Sequence, residues 1–128
     1  LNAGARQPAL RLTLGLLLMI TLIGAALRFY ELGGWPAGLY QDEAFNGLDA
    51  LNVIAGDRPL YFPANNGREP VFIYLVSLSV AALGRSPLAV RLPAAVLGTL
   101  LIPATFALGA ALYHRRLGLW AAAVAAFT

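Results

Sequence analysis

The sequence predicts an all-helical integral membrane protein, and three observations carry that expectation. Apolar residues make up 59% of the chain and charged residues 12%, against roughly 45 to 50% and 25% in soluble domains. The apolar residues gather in four runs that are almost free of charge. All six acidic residues (Glu31, Asp42, Glu43, Asp49, Asp57 and Glu69) fall in the segment between the first two runs. With no cysteine in 128 residues, disulfide scaffolds and thiolate metal sites are excluded. All nine basic residues are arginine, for a net charge of +3. They form no basic patch with interleaved aromatics, so nucleic acid is not an expected partner.

The first run, Leu12 to Leu27, lies between Arg11 and Arg28, whose long stems can reach headgroups from either end. Its sixteen residues rise about 24 Å, enough to cross once the flanks are counted. A cleaved signal peptide is the rival reading, with Arg6 and Arg11 as its basic region and Gly24-Ala25-Ala26 as its small-residue stretch. The second run, Pro70 to Gly84, opens on proline and closes on glycine, good helix punctuation, but is short for a crossing. The third, Leu92 to Tyr113, contains Pro93, Pro103 and small residues (Gly98, Thr99, Ala104, Gly109) suited to close helix packing. A fourth begins at Leu117 and is still apolar at Thr128; with no initiator Met, the sequence reads as part of a longer protein.

Spans are therefore expected at about 10–29, 68–84 and 88–113, with the start of a fourth at 117–128 and an extracytoplasmic loop over 30–67. Simple alternation from a cytoplasmic N-terminus leaves Arg6, Arg11, Arg85 and Arg91 inside and Arg28, Arg58, Arg68, Arg115 and Arg116 outside. That split does not decide orientation. The basic flank of the first span favours an inside N-terminus and an outside acidic loop.

The loop is long enough to carry function. Gly33-Gly34-Trp35-Pro36 is turn chemistry, and Tyr30, Trp35 and Tyr40 suit a membrane interface. From Glu43 to Ala55, Ala44, Gly47, Leu48, Leu51, Ile54 and Ala55 repeat at helical spacing, while Asp42, Asn46 and Asp49 fall on another face. The pattern predicts an amphipathic helix on the bilayer surface, stopped by Gly56.

Asp42-Glu43 is the chemistry-bearing pair. Adjacent residues do not share a helix face, so the two cannot flank one substrate as acid and base. Hydrolysis of a glycosidic bond asks for two opposed carboxylates. Transfer of a sugar from a phosphate-linked donor needs one base for the attacking hydroxyl and positive charge beside the departing phosphate. Arg58 and Arg68 are the candidates for that charge. A purely structural reading stands beside this one. Asp42 suits an N-cap and Glu43 favours the helix dipole, Asn46 and Asp49 suit a solvated face, Arg68 and Glu69 an interfacial anchor, and Arg58 a turn. His114 has no second metal ligand nearby in sequence. No glycine-rich phosphate loop, zinc signature or nucleophile elbow occurs.

The ordered combination Leu27-Arg28-Phe29-Tyr30, Tyr40-Gln41-Asp42-Glu43-Ala44, Arg68-Glu69-Pro70-Val71-Phe72-Ile73-Tyr74-Leu75 and Arg91-Leu92-Pro93 resembles the N-terminal part of a bacterial GT-C fold membrane glycosyltransferase. It is similar to the protein O-mannosyltransferase and aminoarabinose transferase group, glycosyltransferase family 39 and its relatives. The resemblance covers nearly all of this chain and about a quarter of a typical member. It implies GT-C-like transmembrane helices with a juxtamembrane helix in the first extracytoplasmic loop, Asp42 as catalytic base and Glu43 as its acidic neighbour. It implies a polyprenyl-phosphate sugar donor, an acceptor lipid, glycan or protein, and a bacterial plasma-membrane location among lipid. Relatives carry Lys or His and then Pro-Pro where Arg68-Glu69-Pro70-Val71 stands, so Glu69 occupies the place of a donor-binding cation and Arg68 supplies the charge. An acidic pair near phosphate can hold a divalent metal, whereas relatives of this type often work without one, which leaves a metal cofactor open. The functional expectation is inverting sugar transfer, by the whole protein rather than by this stretch alone. The alternative is a non-enzymatic polytopic membrane component, such as part of a permease or an accessory subunit.

Overall fold

The computed structural model describes residues 3–128, with side chains from Leu10 onward; Arg6 of the basic flank lies outside the described side chains. The chain is 73% helix. Five helices follow in order: α1 (Ala3–Phe29), α2 (Gln41–Ala55), α3 (Pro70–Leu83), α4 (Pro87–Leu112) and α5 (Arg115–Ala126). No strand forms among the described residues beyond a single bridge between Phe62 and Arg68.

Two helices are long and apolar enough to cross a membrane: Leu10–Phe29 of α1, with mean hydropathy 2.1, and α4, with 2.0. Their large apolar side chains face outward, as at Leu12, Leu22, Leu100 and Leu108. That pattern suits a helix whose solvent is lipid.

The punctuation read from the sequence holds at several ends. Pro70 opens α3 at the first helical position, and Gly84 closes it with φ +81°. Gly56 ends α2 at φ +124°. α4 starts at Pro87, earlier than the apolar run suggested, because the Ser86 hydroxyl accepts from the Ala89 N–H at 3.2 Å and Pro87 lacks an N–H to satisfy. Arg91 thereby falls inside the helix. His114 caps α5, its Nδ1 accepting from the Leu117 N–H at 3.1 Å.

The chain divides into two units. One comprises Leu1–Tyr30 and Val96–Thr128. Its buried centre is Ile102, Ala122 and Ala126, with Leu17, Ile20 and Phe106 around it. α4 and α5 cross at Gly109 and Gly118, where a Cβ on Gly118 would sit 2.6 Å from the Phe106 carbonyl oxygen, so only glycine admits that approach. Arg28 donates to the carbonyls of Ala126 (2.9 Å) and Ala125 (2.7 Å). A cation thus closes the C-terminal end of α5.

The other unit, Glu31–Ala95, holds α2, α3 and the first turns of α4. Val53 clusters with Ile73 and Phe62, whereas Ala50 clusters with Val76, Val80, Ala89 and Val90. The order is reversed along the two helices, so α2 runs antiparallel to α3 along its length. Gly47 lies against Val90, and Glu43 reaches Arg91. α3 has 14 residues, a rise of about 21 Å, shorter than a hydrocarbon core of roughly 30 Å.

Candidate functional site

The residues singled out in the sequence lie around α2, which sorts them by face and by end. Its N-cap is Tyr40, in extended conformation, so Asp42 sits inside the first turn and is not the cap expected for a helix beginning at Glu43. The capping group is Glu43, whose Oε2 accepts from the Tyr40 N–H at 3.0 Å.

Glu43 carries a second duty. Arg91 Nε donates to its Oε1 at 2.8 Å and Arg91 Nη2 to its Oε2 at 2.9 Å, a fork on both carboxylate oxygens. The same guanidinium donates to the carbonyls of Leu32 (3.1 Å) and Trp35 (3.4 Å) through Nη1. Through Nη2 it donates to Pro36 (3.2 Å) and Gly38 (2.6 Å). Arg91 is 6% exposed, and a charge so buried persists only when paired and hydrogen-bonded. The Arg91 guanidinium holds the Glu43 carboxyl below its ordinary value of 4.5; burial pushes the other way, and the Tyr40 N–H adds to the lowering.

Asp42 points elsewhere. It is exposed, and its Oδ1 accepts from Asn65 Nδ2 at 2.8 Å, across 23 residues of sequence. Asn46 and Asp49, four and seven residues on, extend the same stripe of α2. Both accept from Arg68, Asn46 from Nη1 and Asp49 from Nη2, while Arg68 Nε donates to the Ala64 carbonyl at 3.3 Å. The guanidinium also lies 5.9 Å from the centre of the Phe45 ring. Asn46 and Asp49 are therefore partners of Arg68 and not merely a solvated face. The loop that presents Asn65 and Arg68 turns through positive φ at Asn65 (+53°), Asn66 (+67°) and Gly67 (+81°).

Arg58 is at the opposite end of α2. It donates to the carbonyls of Val53 and Asp57, both at 2.8 Å, which closes the helix end. The eleven residues from Asp42 to Val53 put it about 16 Å along the axis from Asp42. Glu69 is the exposed N-cap of α3 and makes no side-chain capping bond. Of the five residues expected at a site, Asp42 and Glu43 lie in the first turn of α2, and Arg68 reaches the same helix from the following loop through Asn46 and Asp49. Glu69 beside it caps α3 without a side-chain bond, and Arg58 closes the far end of α2.

The acidic pair does not fit a divalent cation. Both oxygens of Glu43 are held by Arg91, which leaves Asp42 alone where such a cation takes six or more oxygens. Among the described residues no three His, Asp or Glu side chains come together as ligands. Sequence reasoning missed Asn65 and the organising role of Arg91. The signals available for them were the Asn65-Asn66-Gly67 turn and a lone arginine placed one turn into an apolar helix.

Since the folded Glu43 carboxyl releases its proton more readily than the unfolded one, the unfolded chain binds more protons just below pH 4.5. Stability from the Glu43–Arg91 pair is complete above that pH and falls as pH drops toward the folded value. Thermal midpoints measured from about pH 3 to pH 6 should decline with acid in wild type. Glu43→Gln should start lower at neutral pH and lose less over the same window; parallel curves would show that the pair carries no such linkage.

The chain matches no family model, no curated protein and no solved structure.

Proposed function

We propose that this chain is the N-terminal part of a multi-pass membrane glycosyltransferase, in which Asp42 is the base for inverting sugar transfer from a polyprenyl phosphate to an acceptor hydroxyl. The supporting observation is that, of the acidic pair, Glu43 is occupied by Arg91 whereas Asp42 is exposed and held by a neutral amide, with no cation paired to it among the described residues. A carboxylate oriented by one hydrogen bond and open on its other oxygen is suited to accept a proton.

In the proposed step the acceptor hydroxyl gives its proton to Asp42. The freed oxygen pair forms a bond to the anomeric carbon on the face opposite the phosphate, and the carbon–oxygen bond to phosphate breaks with its electrons leaving on polyprenyl phosphate. Arg68, about one turn along α2, is the candidate for stabilising that charge. Three of its N–H groups are used by Asn46, Asp49 and Ala64, so two of a guanidinium's five remain for a phosphate.

The proposed topology differs from simple alternation. α1 and α4 cross the bilayer of the cell membrane, and the α2–α3 pair lies on it at the extracytoplasmic face. α2 packs antiparallel on α3 through Ala50 and Val53 while carrying Asp49 next to Ala50, and Asp42 and Glu43 at its start, so drawing α3 through the bilayer would bring carboxylates toward hydrocarbon. Both helices keep an uncovered apolar face, at Leu48 and Ile54 on α2 and at Val71 and Leu78 on α3, suited to lying in the interface. With N-terminus inside, this arrangement leaves Arg6, Arg11, Arg115 and Arg116 inside and Arg28, Arg58, Arg68, Arg85 and Arg91 outside, so the arginine split decides its orientation no more than simple alternation does.

Two measurements test these readings. Asp42→Asn keeps an oxygen for Asn65, so the whole protein should remain folded and equally abundant while release of polyprenyl phosphate from sugar donors falls about 10²- to 10⁴-fold. Equal release would remove Asp42 from the chemistry, and no release from any donor by wild type would favour a non-enzymatic membrane component. For topology, single cysteines at Leu83 and Tyr113, both exposed, should differ: the first labelled by an impermeant maleimide from the extracytoplasmic side, the second only after permeabilisation. Labelling of Leu83→Cys from the cytoplasmic side would restore α3 as a crossing.

A further inference from the structure

Away from the Asp42 face, α2 and the start of α4 enclose a groove of about 340 Å³. Its walls are aliphatic: Leu39, Leu48 and Leu51 from α2 and its approach, Val80 from α3 and Val90 from α4. Polar chemistry is confined to the α3–α4 turn, where Arg85 and Ser86 line it. Ser86 is engaged in capping α4. Arg85 is exposed and, among the described residues, makes no hydrogen bond or ion pair, unlike Arg68 and Arg91, which are both paired with carboxylates.

We infer that this groove binds an anionic phospholipid of the bilayer, with an acyl segment along the aliphatic walls and the headgroup phosphate on Arg85. Three features of the site argue for that occupant. The groove has the polarity of an anionic amphiphile, all aliphatic except for one cationic place. Arg85 stands in the α3–α4 turn at one end of the groove, beside a helix pair proposed to lie in the interface, where a guanidinium on a long stem can reach a headgroup phosphate. A volume of about 340 Å³ is at the small end of ligand sites and suits part of one alkyl chain. The inference rests on the interfacial position proposed for the α2–α3 pair and not on the transfer chemistry, so its readout needs no sugar donor.

The test uses the whole protein in nanodiscs of mixed phosphatidylcholine and phosphatidylglycerol, with native mass spectrometry reading the lipids retained on release. Wild type should retain phosphatidylglycerol in preference to phosphatidylcholine. Arg85→Gln should lose about tenfold of that preference, the worth of one charge-assisted phosphate contact, and Arg85→Lys should keep most of it. A phosphatidylglycerol bearing a diazirine on its acyl chain should label the α2 segment from Ala44 to Leu51, and Ala44→Trp, which fills the groove, should abolish that label. Equal retention of the two lipids, or no change in Arg85→Gln, would overturn the inference. So would cross-linking of the groove to a protein segment, or displacement of the lipid by equimolar polyprenyl phosphate, each of which names a different occupant. Cytoplasmic labelling of Leu83→Cys would instead remove the interfacial position on which it rests.

Discussion

Burial of the Arg91 guanidinium is the constraint from which the unit around α2 follows. A charge that is 6% exposed needs a counter-charge and a full set of acceptors. Arg91 finds the first in Glu43 and the rest in four carbonyls of the 32–38 loop. One side chain on α4 thus fixes a loop with no regular structure, the start of α2 through its capping carboxylate, and the docking of α2 near α4. Both carboxylate oxygens of Glu43 are engaged by the same bonds, and Asp42, one helix position earlier, is left to face outward.

Polar groups elsewhere in this apolar chain follow a related logic, in which arginines close helix ends. Arg28 takes the last carbonyls of α5, and Arg58 takes a carbonyl from the last turn of α2. Arg68 is different, since it ties the 61–69 loop to the Asn46–Asp49 stripe and so brings Asn65 beside Asp42. Two long-range polar contacts, one on each side of α2, therefore determine which of its carboxylates is engaged by cations and which is open.

Local signals were legible in the sequence. Pro70, Gly84 and Gly56 mark helix ends because proline and positive-φ glycine act within a residue or two. The spacing of Asp42, Asn46 and Asp49 on one face of α2 was likewise readable from helical period. Partners distant in sequence were not. Arg91 meets Glu43 across 48 residues and Arg68 meets Asp49 across 19, separations that no periodicity encodes. The cap register shifted because Glu43 reaches back to Tyr40, so the helix starts ahead of the acidic pair. The second apolar run forms α3, whose shortness for a crossing was legible in the sequence, whereas its antiparallel packing on α2 was not.

Amide hydrogen exchange over residues 31–43 in the whole protein, wild type against Arg91→Gln, tests the organising role of the guanidinium most directly. If Arg91 holds this segment, the substitution should release the Gly34, Trp35 and Tyr40 amides, which donate to Glu31 and Glu43, and fray the first turn of α2, while α3 keeps its protection. Unchanged exchange at those amides would contradict that role, and with it the reason given for Glu43 being occupied and Asp42 being open.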